Sequence, residues 1–167
     1  MEILIAPPRF ILWLVLGIDA VAVASVLLKK GKLVRRLISL GVVAAVSVVL
    51  LVSLYRPARL SVTDEAMVDS TYFRTLTVPW SDLTDAVIVR DFGASEYRPT
   101  LKVGGSSMPG LQTGWFKLAN GATARVVIQS SADALILRSA DTLWVLAPDR
   151  LSDLVAAIRA RGVQVRE

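Results

Sequence analysis

The sequence predicts a two-helix transmembrane hairpin followed by a mostly-β barrel or sandwich of about seven antiparallel strands, which a C-terminal α-helix caps. Three observations predict this class. Two apolar runs of membrane length flank a basic segment near the start of the 167-residue chain. Short runs of alternating apolar and polar residues follow, which is typical of half-buried β-strands. The end of the chain carries apolar residues at helical spacing.

The first apolar run covers residues 10–28 and is interrupted only by Asp19, whereas the second covers residues 37–55 and has no charge. Each run contains 19 residues. As a helix it spans about 28 Å at about 1.5 Å per residue, which matches a hydrocarbon core of roughly 30 Å. Residues 29–36 (KKGKLVRR) carry five positive charges between the two runs. We therefore predict two membrane-spanning helices joined by a basic loop.

Charge and position divide the chain into a transmembrane hairpin over residues 1–59 and a second domain over residues 60–167. Positive charges in short loops are retained on the cytoplasmic side of a membrane. The five charges of the basic loop outnumber those on either flank of the hairpin. We therefore expect a multi-pass protein of the plasma membrane whose second domain is extracytoplasmic.

Asp19 lies near the middle of the first predicted span. An ionised carboxylate at that depth costs at least about 2.5 kcal/mol. One interpretation is a contact with a second copy or with another membrane subunit. The other is a carboxyl group that is protonated or reached by water, and is tolerated because the rest of the span is very apolar. The sequence leaves both interpretations open.

The whole chain has a formal net charge of +5, which would suggest a nucleic-acid partner if the charge were evenly distributed. Residues 1–59 carry eight positive and two negative residues, whereas residues 60–167 carry 11 positive and 12 negative residues, a balance of −1. The excess basicity therefore flanks the apolar runs. The second domain lacks the charge that attraction to a phosphate backbone requires, and we predict no nucleic-acid partner.

Catalytic residue types are scarce. The chain has no cysteine and no histidine, which excludes disulfides, cysteine-based metal sites and the usual general base near neutral pH. Ser106 and Ser107 lie in GGSSMPG, which lacks the spacing of a nucleophile elbow. A pairing of one of these serines with Lys102 or Lys117 remains, although turn chemistry explains this loop more simply. We expect no enzymatic activity, no cofactor and no metal site.

The first half of the second domain reads as a series of short strands. Alternating or β-branched runs predict strands at residues 60–63, 67–69, 73–78 and 86–90. Residues 95–110 form a polar segment with glycine and proline, in which RPTLKV is at most a short edge strand. This segment is therefore predicted as a loop, and loops of this length often bind ligands.

The second half contains two hairpins and a helix. Asn120-Gly121 separates strands at residues 114–118 and 122–129, which favours a primed turn with positive φ at both central residues. A second hairpin joins residues 134–138 and 142–146. The closing helix follows Pro148 and places its apolar residues on one face, and Gly162 ends it; these apolar residues are Leu151, Leu154, Val155 and Ile158.

The order of these parts resembles the bacterial PH-domain families. The similar segments are LSVTDEAMVDS, TVPWSDLTDAVIV, PGLQTGWFKLANGATARVVIQ and WVLAPDRLSDLVAAI, and together they cover residues 60–161. The resemblance implies a PH-like barrel or sandwich closed by a helix, and a location in the bacterial plasma (inner) membrane when the hairpin is included. Phosphoinositide binding is not implied, because the region of the first hairpin offers only Arg74 where inositide-binding relatives carry clustered lysine and arginine.

These observations predict a non-enzymatic, membrane-anchored PH-like domain that binds or scaffolds a partner at the membrane surface. The expected partners are the lipid bilayer and a membrane or envelope protein, including a second copy of the chain. The alternatives are a sensor of a lipid or small envelope ligand, which uses residues 95–110 and nearby aromatic residues, and an accessory subunit of a membrane complex. The candidate contact residues are Asp19, Arg98, Lys102, Ser106, Ser107 and Trp115.

Overall fold

The computed structural model divides the chain into two compact units. One unit comprises Ala6–Pro57, and the other comprises Met1–Ile5 together with Ala58–Glu167. The residues that the structure describes are 2–5, 10–28, 33–54, 58–71, 74–129 and 132–167.

The first unit contains two helices, α1 (Phe10–Leu28) and α2 (Leu33–Leu54), which pack against each other. The predicted helices are therefore confirmed, although α2 begins four residues earlier than the apolar run and includes Arg35 and Arg36. Asp19 on α1 accepts a hydrogen bond from the Ser47 hydroxyl of α2 at 2.5 Å. Its carboxylate thus has a polar contact within the chain itself.

Neither helix meets the combined length and apolarity that crossing a bilayer requires, as far as the described residues extend. The predicted transmembrane hairpin is therefore wrong, and so is the predicted location as a multi-pass protein of the bacterial plasma membrane. The physical reason is that the apolar runs are only just long enough to cross a bilayer, and that charged residues interrupt the helices. A run of 19 residues is near the short end of the roughly 17–25 that a span needs. Asp19 interrupts α1, and Arg35 and Arg36 occupy the first turn of α2.

A four-stranded antiparallel sheet begins the second unit, and its first strand lies ahead of the helices in the sequence. Strand β1 alternates exposed and buried residues, with Ile3 and Ile5 inside, and Glu2 forms an ion pair with Arg59 at 3.2 Å. The helical unit is therefore inserted between two paired strands. In sheet order, the strands are β1 (Glu2–Ile5), β2 (Ala58–Val62), β3 (Ala66–Thr71) and β4 (Arg74–Pro79).

The second sheet has six strands and follows the order β5-β9-β10-β8-β7-β6. Its pairings are antiparallel except that of β8 with β10, which is parallel. The described chain thus has ten strands and one parallel pairing, so the prediction of about seven antiparallel strands is corrected. The strands are β5 (Leu83–Val89), β6 (Pro99–Met108), β7 (Leu111–Leu118), β8 (Thr123–Ile128), β9 (Ala134–Ser139) and β10 (Leu143–Ala147).

The hairpin between β7 and β8 is confirmed, but its turn is not the predicted primed type. Gly121 has a φ of +83°, whereas Asn120 is not among the residues with positive φ. The Gly121 N–H donates to the Leu118 carbonyl at 3.0 Å, and the Asn120 side-chain oxygen accepts from the Ala122 N–H at 3.0 Å. Asn120 therefore acts through its side chain, as residues of this type commonly do in turns.

Helix α3 (Leu151–Arg159) confirms the predicted closing helix. Leu154, Val155 and Ile158 are buried, and Leu151 packs at the margin of the same cluster. Gly162 follows with a φ of +82°, a conformation that glycine adopts without strain and that ends the helix. The spacing of the apolar residues was sufficient to place this helix.

Two apolar clusters lie on opposite faces of the six-stranded sheet. The larger one joins residues of both sheets and α3, including Leu60, Leu137 and Trp144. The smaller one surrounds Phe92 and Phe116 on the other face. Because the central strands are buried on both faces, β8, β9 and β10 are almost continuously apolar rather than alternating.

A buried ion pair connects the two sheets. The Arg125 Nε on β8 donates to the Asp69 Oδ2 on β3 at 2.7 Å, and the two side chains are 8% and 0% exposed. Trp115 and Trp144 lie directly beside Arg125 in the register of the neighbouring strands. Because a buried charge that loses its partner is strongly destabilising, removal of either side chain should weaken the packing of the two sheets.

Candidate docking edge

Strand β6 forms one edge of the six-stranded sheet. Among the strands that the structure describes, it pairs only with β7. Its register shifts twice, between Pro99 and Leu101 and again between Lys102 and Gly104. Such irregularities are common at sheet edges, where one row of backbone N–H and C=O groups has no neighbouring strand. The segment predicted mainly as a polar loop is therefore a ten-residue strand with an open side.

A glycine pair explains why this segment is a strand despite its composition. Gly105 and Gly114 are register partners with φ values of +126° and +131°. A Cβ on Gly105 would overlap the Thr113 carbonyl oxygen, and one on Gly114 would overlap that of Gly104. Only glycine at both positions permits this close approach of two backbones, so residues that resemble a flexible loop instead hold β6 against β7.

Two large apolar side chains of β6 face solvent. Leu101 is 60% exposed and Val103 is 59% exposed. Within the described part of the β-rich unit, the other large exposed apolar residue is Leu4 on β1. Exposed apolar residues on an edge strand favour pairing with another chain, because strand addition buries them and satisfies the open backbone groups.

The same hairpin is positively charged. Residues 98–118 contain Arg98, Lys102 and Lys117 and no acidic residue. All three side chains are exposed, and none forms an ion pair with a described residue. The open edge therefore offers cations that carboxylates of a partner are able to neutralise.

A cavity lies at the end of the β6–β7 hairpin and has a volume of about 430 Å³. This volume is within the roughly 300–1,000 Å³ typical of small-molecule sites. Its lining combines apolar side chains with uncharged polar ones, and no charged residue is among them. The lining residues are Phe92, Ser107, Met108, Pro109, Gly110, Leu111, Gln112, Ile128 and Gln129.

The structure brings four of the six predicted contact residues together at this edge. Arg98 immediately precedes β6, Lys102 is exposed within it, and Ser106 and Ser107 lie opposite Thr113 and Gln112. The other two lie elsewhere. Trp115 is half-buried on β7, opposite Gly104 on one side and Arg125 on the other. Asp19 belongs to the helical unit, where Ser47 donates to it.

The sequence does not identify Leu101 and Val103 as contact residues. The alternation in RPTLKV indicates a strand, but the glycines that follow it favour a loop. Two buried polar atoms, the Thr113 Oγ1 and the Trp144 Nε1, were also not predicted, and they have no hydrogen-bond partner in the described structure. No sequence pattern identifies such atoms, since their burial depends on strands from distant parts of the chain.

The groups at this edge are described by what they offer to a partner. Neither Ser106 nor Ser107 has a hydrogen-bonded base among the described side chains. The described residues also contain no group of three or more acidic, histidine or cysteine side chains that is suited to a metal ion. The geometry instead supplies backbone donors and acceptors, two apolar side chains and unpaired cations.

Comparison with known protein families identifies a match that covers most of the β-rich unit. The family model described as a bacterial PH domain matches residues 59–162, more than half of the chain. The matched segment extends from β2 through α3 and includes the whole six-stranded sheet. No curated protein matches the chain.

Proposed function

The chain belongs to the bacterial PH-domain family, and we propose that it is a non-enzymatic module that binds or scaffolds a protein partner through the open edge of β6. One observation carries this proposal: an edge strand with one open side presents Leu101 and Val103 to solvent beside cations that have no acidic partner among the described residues. The family match supports a binding role in general. The edge supplies a specific place for it.

Strand addition is the mode of binding that this edge favours. An extended segment that pairs with β6 gains main-chain hydrogen bonds, and its alternate side chains contact those of the edge. Leu101 and Val103 select apolar residues, whereas Arg98 and Lys102 select acidic ones. The proposed partner segment is therefore extended and alternates apolar with acidic residues.

Self-pairing of two β6 edges is disfavoured by charge. An antiparallel pair centred on Lys102 places the Lys102 side chains of two copies directly opposite each other, and like charges across a strand pair are destabilising. Residues 98–118 offer no acidic residue to compensate. This repulsion supports a partner of different sequence.

The absence of histidine and cysteine supports a non-enzymatic role, since these residues provide most nucleophiles and bases active near neutral pH. The exposed hydroxyl of Ser107 and the half-buried hydroxyl of Ser106 have no described neighbour that would activate them.

The proposal is tested by an NMR titration of the full chain with a synthetic peptide of alternating valine and glutamate. We expect amide shifts that concentrate at residues 99–108, and weaker binding in the double variant Leu101→Thr and Val103→Thr, which removes apolar surface without adding charge. Leu4→Thr is the matched control, because Leu4 is 55% exposed on a different strand. Shifts confined to residues outside β6 and β7, or equal binding by the double variant, would contradict the proposal.

The cavity beside Ser107 supports a second candidate, the binding of a small uncharged amphipathic molecule. Its mixture of apolar and uncharged polar residues suits such a ligand better than a charged one. A panel of neutral aromatic fragments tests this candidate through amide shifts at Leu111 and Ile128. Ser107→Trp should fill the cavity and remove those shifts. Persistence of the shifts in this variant would contradict the assignment.

A further inference from the structure

The opposite edge of the six-stranded sheet is covered by the chain's own last residues. The Ile88 N–H of β5 donates to the Arg166 carbonyl at 2.8 Å, and the Arg166 N–H donates to the Ala86 carbonyl at 2.9 Å. Val87 and Arg166 thereby form an isolated parallel bridge. Residues 163–167, here called the tail, therefore pair with β5 as a very short additional strand.

Charged side chains fix the register of the tail. Arg166 donates to the Asp85 carboxylate at 2.6 Å. The next side chain, Glu167, contacts Arg90 at 3.5 Å and Arg159 at 3.4 Å. The site thus recognises a basic residue followed by an acidic one, which a continuous extended strand presents to opposite sides.

A groove beside the tail has a volume of about 510 Å³. Apolar side chains of β5 and α3 form its floor, among them Ile88, Leu151 and Val155. Arg90, Arg159 and Glu167 also line it, together with Asp133 and Asp149. Asp133 already contacts Arg90 at 3.5 Å. Among the described acidic residues, Arg159 pairs with Glu167 alone, so release of the tail leaves Arg159 without an acidic partner.

The tail is held by fewer backbone contacts than the strands of the sheet. It makes a single bridge, and the ion pairs of Glu167 are long and exposed to solvent. Exposed pairs of this kind contribute little to stability. Val163 and Val165 are half-buried and pack against the larger apolar cluster, so a segment that displaces the tail has to replace these apolar contacts. Arg161, just before the tail, is fixed by hydrogen bonds to the Thr63 and Ala157 carbonyls. Gly162 follows with a φ of +82°, so the tail is able to open at this residue while α3 stays in place.

We propose that the β5 edge, together with Arg90, Arg159 and Asp85, is a docking site for an extended segment of another protein that carries a basic residue followed by an acidic one. The tail fills this site until the partner segment displaces it. The proposal concerns a second surface and is independent of binding at β6. Charge complementarity identifies the occupant, because the tail shows which side chains the site accepts.

The first test uses a fluorescent peptide that consists of Gly162 and the tail, GVQVRE, and the chain truncated after Gly162. We expect the truncated chain to bind the peptide at least about tenfold more tightly than the full chain, since a site occupied in most molecules lowers apparent affinity by the fraction that is free. A peptide with the two charges exchanged, GVQVER, is the matched control and should bind much more weakly. A folded truncated chain that fails to bind GVQVRE would overturn the proposal.

The second test keeps the full chain and therefore does not depend on whether truncation is tolerated. Glu167→Arg places a cation between Arg90 and Arg159. It should accelerate hydrogen exchange at the Ile88 amide and leave the Val126 and Leu137 amides unchanged. Unchanged exchange at Ile88 would contradict a displaceable tail. A concentration-dependent doubling of mass would overturn the proposed partner, because the occupant would then be the tail of a second copy.

One control separates this site from the β6 edge. The double variant Leu101→Thr and Val103→Thr, combined with truncation after Gly162, should bind GVQVRE as tightly as the truncation alone. Loss of binding in this combination would assign the peptide to β6 and overturn the proposal for β5.

Discussion

The two edges of the six-stranded sheet differ in whether another part of the chain covers them. At β5, the tail forms hydrogen bonds with the backbone, and Arg166 forms an ion pair with Asp85 at 2.6 Å. At β6, no described strand covers the backbone, and Leu101 and Val103 are about 60% exposed. One sheet therefore combines an edge that the chain covers itself with an edge that it leaves open.

The open edge is nevertheless protected against pairing with itself. Pro99 begins the strand, Lys102 lies within it, and two register shifts interrupt its ladder. Proline, lysine and bulges are the features by which natural sheets discourage edge-to-edge aggregation. At β6 they coexist with two exposed apolar residues, which protection alone does not explain. The difference between the edges indicates that the chain permits selected contacts at β6 and controls access to β5 with its tail.

The largest expected effect comes from a change that loosens both edges together. Arg125→Met leaves Asp69 buried and without its guanidinium partner between the two sheets. We expect a loss of about 3–5 kcal/mol in the free energy of unfolding, measured by urea denaturation. Hydrogen exchange should accelerate in β5 and β6 alike, because both belong to the sheet that this pair connects to the rest of the fold.

Arg138→Met is the matched control, since Arg138 is an exposed residue on β9. It should change the free energy of unfolding by no more than about 0.5 kcal/mol. An equal effect of both substitutions would show that the buried ion pair contributes nothing particular to the packing of the sheets.

A second substitution should affect the β6 edge selectively. Gly114→Ala adds a Cβ that overlaps the Gly104 carbonyl oxygen at a backbone φ of +131°. We expect a destabilisation of about 2–3 kcal/mol and faster hydrogen exchange in β6 than in β9. Gly104→Ala is the control on the facing strand, because a Cβ there meets no atom within 4 Å. An equal increase of exchange in β6 and β9 of the Gly114 variant would show that the substitution loosens the whole sheet rather than the β6 edge.

Local patterns predicted the elements whose residues are close in sequence. Spacing placed α3, and Asn120-Gly121 placed the β7–β8 hairpin. The ten-residue strand β6 was predicted mainly as a loop, because glycine is typical of loops. Gly105 and Gly114 are nevertheless needed in this strand pair, since a Cβ on either one would overlap the backbone of the other strand. Each glycine is explained only by its partner, which the sequence does not identify.

Long-range pairings were beyond prediction for the same reason. Strand β1 alternates correctly, but its partner β2 lies beyond both helices. The parallel pairing of β8 with β10 and the ion pair of Asp69 with Arg125 likewise join distant segments. For the candidate site, charge and turn residues indicated the neighbourhood of β6. The exposure of Leu101 and Val103, and the tail on β5, depend on the assembled sheet.

A smaller effect is expected at the covered edge. Asp85→Asn removes the charge that faces Arg166 across a partly exposed contact. Exposed pairs typically contribute about 0.2–1 kcal/mol, so the urea midpoint should decrease only slightly. Hydrogen exchange at Ile88 should nevertheless increase, because the tail shields this amide. Asp141→Asn is the control, since Asp141 is exposed and has no described partner. An unchanged Ile88 rate would show that Asp85 does not hold the tail.

The smallest effect on stability is expected where the effect on binding should be largest. The double variant Leu101→Thr and Val103→Thr keeps residues that suit a strand and removes the apolar surface of the open edge. Because both side chains already face solvent, the free energy of unfolding should change by no more than about 0.5 kcal/mol in a urea titration. Binding of the peptide of alternating valine and glutamate should weaken in an NMR titration, since the variant offers less apolar surface for strand addition to bury. A destabilisation beyond about 1 kcal/mol would show that these residues pack within the fold, and the contrast between an open β6 edge and a covered β5 edge would then be lost.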